Sequence, residues 1–361
     1  MLTVVLPTKN RSSYLIRALS YYHKLGLSHR LIIADSSAED QVSRVKSFIH
    51  SLKPGLEIEY QIFDRDIPPQ DKIAQALRGV DTAYAVLAAD DDFFVLKTLD
   101  QAVQFLKDHP DYSVVHGDAV RFSVGPEAVY GHVTEISSYP QRAVEYPKAS
   151  ERLLDHLSNF TTTYYSVEGV EALQKNWAES ARLQVDNYFL ELIPSCLSLV
   201  QGKAKKITGL YMARQASPIK EYIKKNTFEW ITQKEFSVQY ERFRDCIARE
   251  LSFKDGINLE DSLATVDQAM WAYIASWLTT QYSCELPINR RPVNKVSLFF
   301  NQVLRKIPGT VTTCRALKRI FENNPKKNLA DDISLPKLLN GSLPYDEDFL
   351  PINRVIAGNS H

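Results

Sequence analysis

AYAVLAADDDF, residues 83–93, decides the fold. Seven uncharged, mostly aliphatic residues run directly into Asp90, Asp91 and Asp92. A short apolar run of this kind reads as a strand buried on both faces, the habit of a parallel sheet covered by helices. In open α/β sheets, ligands bind beyond the carboxyl ends of the strands. Three acids at such an end are therefore candidates for chemistry.

Upstream, the chain alternates. Leu2 to Leu6 is the chain's first apolar strand, ending at Pro7. Arg11 to Leu25 places Leu15, Ala18, Leu19, Tyr22 and Leu25 at helical spacing. Leu31 to Ala34 is a strand ending at Asp35, and Ser36 and Ser37 are expected to cap a helix running to about Leu52. Pro54 and Gly55 punctuate, Glu57 to Phe63 alternates like a third strand, and Pro68 and Pro69 open a helix to Leu77. Strand and helix in this rhythm predict right-handed crossovers and a mostly parallel, Rossmann-like α/β sheet. Its carboxyl edge would gather Thr8, Lys9, Asn10, Arg11, Asp35 and the aspartate triplet.

Downstream, Tyr112 to Thr134 reads as strands and turns. Residues 149–201 read as helices interrupted by a β-like run at Thr161 to Val167, and Ala204 to Ala213 as another strand. Beyond Ser217 and Pro218 the chain turns helical, with Trp230, Phe236, Tyr240 and Phe243 forming a stripe. These changes predict two units, residues 1–216 and 217–361.

Composition narrows the function. The 361 residues are 44% hydrophobic and 24% charged, with 43 basic and 43 acidic side chains, so no global charge argues for nucleic acid. Cys196, Cys246, Cys284 and Cys314 lack zinc-type or disulfide-framework spacing. With no signal-like start and no membrane-length apolar stretch, the expected location is cytoplasmic. One segment stands apart: Arg290 to Lys327 carries ten Lys and Arg against the single acid Glu322, interleaved with Leu298, Phe299, Phe300 and Ile307. It suits peripheral contact with an anionic inner membrane face or a phosphate-bearing acceptor, and equally a solvated basic helix face.

Adjacent carboxylates repel one another, and a divalent cation held by hard oxygens relieves the repulsion. Such an ion also neutralises a departing diphosphate. The plainer alternative is a solvated acidic loop or a helix N-cap just before Phe93.

VLPTKNR at residues 5–11, ADSS at 34–37 and LAADDDF at 87–93 together resemble family 2-type glycosyltransferases of the GT-A fold. The resemblance covers roughly residues 1–215. It implies a nucleotide-sugar donor, a glycan or lipid-linked acceptor, and inverting transfer in surface polysaccharide biosynthesis. It places Pro7, Thr8, Asn10, Arg11 and Asp35 against the nucleotide, and Asp90 and Asp91 against the donor. Mn2+ or Mg2+ would sit on Asp90 and Asp92. Lys72, within PPQDKIAQAL, lies where the family's helix contacts the nucleotide, and its cation either reaches a phosphate or is simply solvated. Residues 184–215 resemble the segment bearing the family's catalytic base. Asp186 takes the second acidic position, Val185 stands where the family usually has Glu, and Met212 to Gln215 replace a histidine metal ligand. Arg214 is then a candidate diphosphate contact. A helix cap is the structural alternative for Asp186; His116 and Asp118, ending a strand beyond the triplet, are candidates to face the acceptor or donor sugar, with a structural role the alternative for His116. A sugar nucleotidyltransferase would want a glycine-rich loop after strand one, and residues 5–13 have no glycine. A non-catalytic nucleotide-sugar-binding module is the other alternative.

Overall fold

The computed structural model describes residues 2–52, 55–125, 129–216, 226–285 and 345–358. Four strands, β1 (Leu2–Thr8), β2 (Arg30–Asp35), β3 (Ile58–Ile62) and β4 (Tyr84–Leu87), alternate with α1 (Ser12–Lys24), α2 (Glu39–Ser51) and α3 (Pro69–Leu77). They pair in parallel in the order β3-β2-β1-β4. The apolar runs are continuous because both sheet faces are covered. Val4, Leu6, Leu31 and Ile33 enter one core with α1, while Val5, Ile32 and Ala34 enter another with α3. Pro69 opens α3 at its first turn, where a missing N–H costs nothing.

The sheet continues through β5 (Phe93–Phe94), β6 (Tyr112–Gly125), β7 (His132–Tyr139), β8 (Val167–Gly169) and β9 (Lys203–Gln215). Its full order is β3-β2-β1-β4-β8-β6-β9-β5, with β7 on β6. β6 and β9 pair in parallel, while β8, β7 and β5 pair antiparallel to their neighbours. Helices α4 (Leu96–Asp108), α5 (Ala149–Ser158), α6 (Val170–Leu183) and α7 (Asn187–Gln201) complete this part. The helical remainder is α8 (Thr227–Ile231), α9 (Phe236–Asp255), α10 (Leu259–Glu285) and α11 (Asp346–Ile356).

Two local expectations change. Ser36 and Ser37 do not cap α2; Ala38 precedes it without a side-chain cap. The serines instead serve the neighbouring loop. Strand β8 begins only at Val167, so Thr161 to Ser166 contributes no strand. The basic stretch Arg290 to Lys327 lies outside the described residues, and no described helix is long and apolar enough to cross a membrane.

The helical remainder packs on both cores. Trp230, Phe243, Ile247, Val266 and Met270 join the core that holds Val5, and Phe349, Ile352 and Ile356 join the one that holds Val4. Polar ties lock the same elements. The Arg152 guanidinium donates to the Leu199 and Val200 carbonyls at 2.7 and 2.8 Å, satisfying the end of α7. The Asp255 carboxylate accepts from the Ala149 and Ser150 amides that open α5, at 2.8 and 2.9 Å.

Glu168, in the middle of the sheet, is buried against Ser198, whose hydroxyl lies 2.6 Å from Oε2. Burial pushes its carboxyl up from 4.5 to about 8, against the Ser198 hydrogen bond. The folded protein thus holds a proton that the unfolded chain releases near its ordinary value. The resulting stability is complete below about pH 4.5 and is lost as pH rises through about 8. Glu168→Gln mimics the protonated form. Urea titrations from pH 5 to 8 should show wild type losing up to about 1.4 kcal/mol per pH unit relative to the variant. Parallel pH dependences would contradict a protonated Glu168.

Candidate functional site

Strand register assembles the site. Thr8 pairs with Asp35 at the ends of β1 and β2, and the Ala88 amide donates to the Val5 carbonyl at 2.9 Å, carrying Asp90 alongside Thr8. Phe93 pairs with Ala213, which sets Asp92 beside the end of β9. One edge therefore holds Thr8, Arg11, Asp35, the triplet and Arg214, drawn from across the chain.

The three aspartates are buried, each less than a tenth exposed. Their carboxylates turn in different directions. Asp90 accepts from the Thr8 hydroxyl at 2.7 Å and pairs with Arg11 Nε at 3.1 Å. Asp91 takes Arg11 Nη2 at 2.5 Å. Asp92 Oδ2 accepts from Arg214 Nε at 3.0 Å, and Oδ1 from the Gln215 amide at 3.0 Å. Burial pushes the Asp92 carboxyl up to about 6, opposed chiefly by Arg214.

Arg214 is held on every side. Its Nη1 donates to the Tyr139 hydroxyl at 2.6 Å, and its guanidinium lies 4.8 Å from the ring centroids of both Tyr139 and Tyr165.

A further arginine escaped the sequence reading. Arg17, fully buried in α1, donates to the Asp91 carbonyl at 3.1 Å and the Val129 carbonyl at 2.5 Å, with Phe93 beneath its guanidinium at 5.0 Å. Burial lowers its pKa to about 10, with Asp91 opposing, so it stays cationic at neutral pH. The available signal was a basic residue inside the apolar stripe of α1.

The nucleotide-side residues mostly order one another. Asn10 adopts φ 54°, a left-handed turn that Asn tolerates better than most residues. Its amide donates to Ser37 Oγ at 2.6 Å and its Oδ1 accepts from the Ala38 amide at 2.9 Å. Asp35 accepts from the Ser37 amide at 2.8 Å and from the Tyr60 hydroxyl. Lys72 is buried; its ammonium donates to the Thr8 carbonyl at 2.7 Å and Ser36 Oγ at 2.9 Å. Pro7 lies within β1 beside Thr8.

Asp186 stands apart from these contacts, at the start of α7. Its Oδ1 accepts from the Tyr188 and Phe189 amides at 2.9 and 3.1 Å, and its Oδ2 from Trp230 Nε1 at 2.8 Å. Val185 is buried in the core. His116 is buried too, its Nε2 facing the Arg142 carbonyl and its Nδ1 facing Ser166, each at 3.0 Å. Burial lowers its pKa to about 4, so it is a neutral structural residue. Asp118 pairs with Lys206 at 2.6 Å and accepts from Tyr345 at 2.6 Å.

A divalent ion at Asp90 and Asp92 does not fit this arrangement. Those carboxylates are held by different neighbours, Asp90 by Thr8 and Arg11 and Asp92 by the Arg214 cation and the Gln215 amide. Among the described residues no group of three or more His, Cys, Asp or Glu side chains is placed to hold a metal.

By sequence, the chain matches no family model and no curated protein. By structure, S. aureus TarS 1-349 in complex with UDP-GlcNAc aligns with TM-score 0.54 at 14% identity, covering 81% of this chain and 77% of that one. The chain has a GT-A-type glycosyltransferase fold. The same S. aureus protein in complex with UDP aligns with TM-score 0.48 at 15% identity, over 81% and 77% of the two chains. The mannosyltransferase PcManGT from Pyrobaculum calidifontis, in complex with GDP-Man and Mn2+, aligns with TM-score 0.41 at 13% identity, over 90% and 88%.

The Lys72 geometry makes it a positioning residue that ties β1 to β2. Lys72→Met should cost about 1–3 kcal/mol of stability, the worth of hydrogen bonds from a buried cation. Chemical denaturation measures this, and a cost near zero would return Lys72 to the role of a solvated lysine.

Proposed function

We propose that this chain is a glycosyltransferase moving a sugar from a nucleotide-sugar donor to a hydroxyl of a glycan or lipid-linked acceptor. The observation that carries the reading is the convergence of Thr8, Arg11, Asp35, Asp90 to Asp92 and Arg214 on one carboxyl edge of a sheet with this fold. Such edges bind nucleotides in α/β proteins generally. The nucleoside lies along Thr8, Asn10 and Asp35, and the diphosphate meets the guanidinium groups at the triplet.

Asp186 is the proposed general base. Its orientation is fixed by three N–H donors, with Oδ2 accepting from Trp230 Nε1. A carboxylate oxygen has two lone pairs, so Oδ2 can also take an acceptor hydroxyl proton. The acceptor oxygen bonds to the anomeric carbon as the carbon–phosphate oxygen bond breaks. The bonding pair leaves with the nucleoside diphosphate, and the proton passes to Asp186. One displacement of this kind inverts the anomeric centre.

The geometry weighs less well with a sugar nucleotidyltransferase, since the turn after β1 is built on a left-handed Asn10 locked to Ser37 and Ala38.

With a donor identified by hydrolysis of a nucleotide-sugar panel, Asp186→Asn should lower kcat by about 10²–10⁴. Donor affinity should stay within about threefold, because Asn caps helices nearly as well as Asp. Wild-type turnover in the variant would move the base elsewhere, and a product of retained configuration would remove the single-displacement step.

A further inference from the structure

We propose that Arg214 takes the place of a metal ion at the donor diphosphate, so that donor binding is independent of divalent cations. This rests on the donor-site reading above.

The Asp92 side chain is 4% exposed, whereas the Arg214 side chain paired with it is 23% exposed. The same order holds next door, with Arg11 at 18% against 6% for Asp90 and 11% for Asp91. An incoming ligand thus meets guanidinium groups, with the carboxylates behind them. For Asp92 to bind a metal, the ion would have to share an oxygen already held by Arg214 or by the Gln215 amide, and would stand next to the Arg214 cation.

Arg214 is also built to stay. Two tyrosine rings and the Tyr139 hydroxyl fix its plane, and Nε is committed to Asp92. A planar guanidinium fixed in this way presents its remaining N–H groups as a preset fork suited to phosphate oxygens. Asp92 is then its anchor. The triplet's charge is met by Arg11 and Arg214 in direct pairs and by buried Arg17 through the field of Asp91 and Asp92, and the exposed Lys9 adds a cation near the same edge. A departing diphosphate then meets preorganised N–H donors of the chain itself, with Lys9 the cation beyond those that balance the triplet.

Calorimetry on the full chain tests this with UDP, GDP, ADP, CDP and dTDP, each titrated in EDTA and in Mn2+. The expected result is one or more nucleotides whose Kd differs by less than about threefold between the two buffers. Arg214→Ala should weaken that binding about tenfold to a hundredfold, the worth of a charged hydrogen bond, with no recovery in Mn2+. Because Arg214→Ala strands a buried carboxylate, Arg214→Lys serves beside it. It keeps the charge, loses the fork, and should weaken binding about tenfold in either buffer. Binding that appears or tightens tenfold with Mn2+ would overturn the inference and leave the donor site standing. Binding of none of the five in either buffer would overturn the donor site itself, and this inference with it.

Discussion

Three adjacent aspartates are buried at the end of one strand, and the protein must supply the charge that keeps them there. An unpaired buried carboxylate costs several kcal/mol. The chain answers with guanidinium groups far apart in sequence: Arg11 and Arg17 from the start of the chain, and Arg214 from the end of β9. Much of the architecture serves that neutralisation. The parallel register of β1 with β4 delivers Asp90 to Thr8, and the antiparallel pair of β5 with β9 delivers Asp92 to Arg214. Arg17 stays buried because Phe93, Val129 and Asp91 all receive it.

The helical elements contribute from the other side. Asp186 takes a hydrogen bond from Trp230 of α8, and its amide donates to Gln239 of α9 at 2.8 Å. Tyr188 stacks on the same indole with centroids 4.3 Å apart. The candidate base is therefore positioned by residues from beyond the sheet. A substitution at Trp230 would act on Asp186 first through orientation.

Much of the fold was legible because each of its first elements declares itself locally. Leu2 to Leu6 and Leu31 to Ala34 are buried on both faces, so their sequences are continuous, and Pro69 marks the start of α3. The edge residues followed from strand ends alone. What stayed hidden depends on distant partners. Nothing local joins Arg214 to Asp92, 122 positions away, or Phe349 to Phe122. Ser36 and Ser37 have the chemistry of caps, but Lys72 and Asn10 compete for their hydroxyls and win. Thr161 to Ser166 has strand-like composition, yet pairing in the sheet begins only at Val167. Arg17 sat within an apolar stripe, where a cation reads as an interruption.

Hydrogen exchange with and without a bound nucleotide sugar tests the central claim, that the carboxyl edge is the donor site. The account predicts slowed exchange confined to residues 8–11, 35–38 and 90–94 and the end of β9, with β3 and the far ends of the strands unchanged. Protection centred elsewhere on the chain, with that edge unaffected, would contradict it.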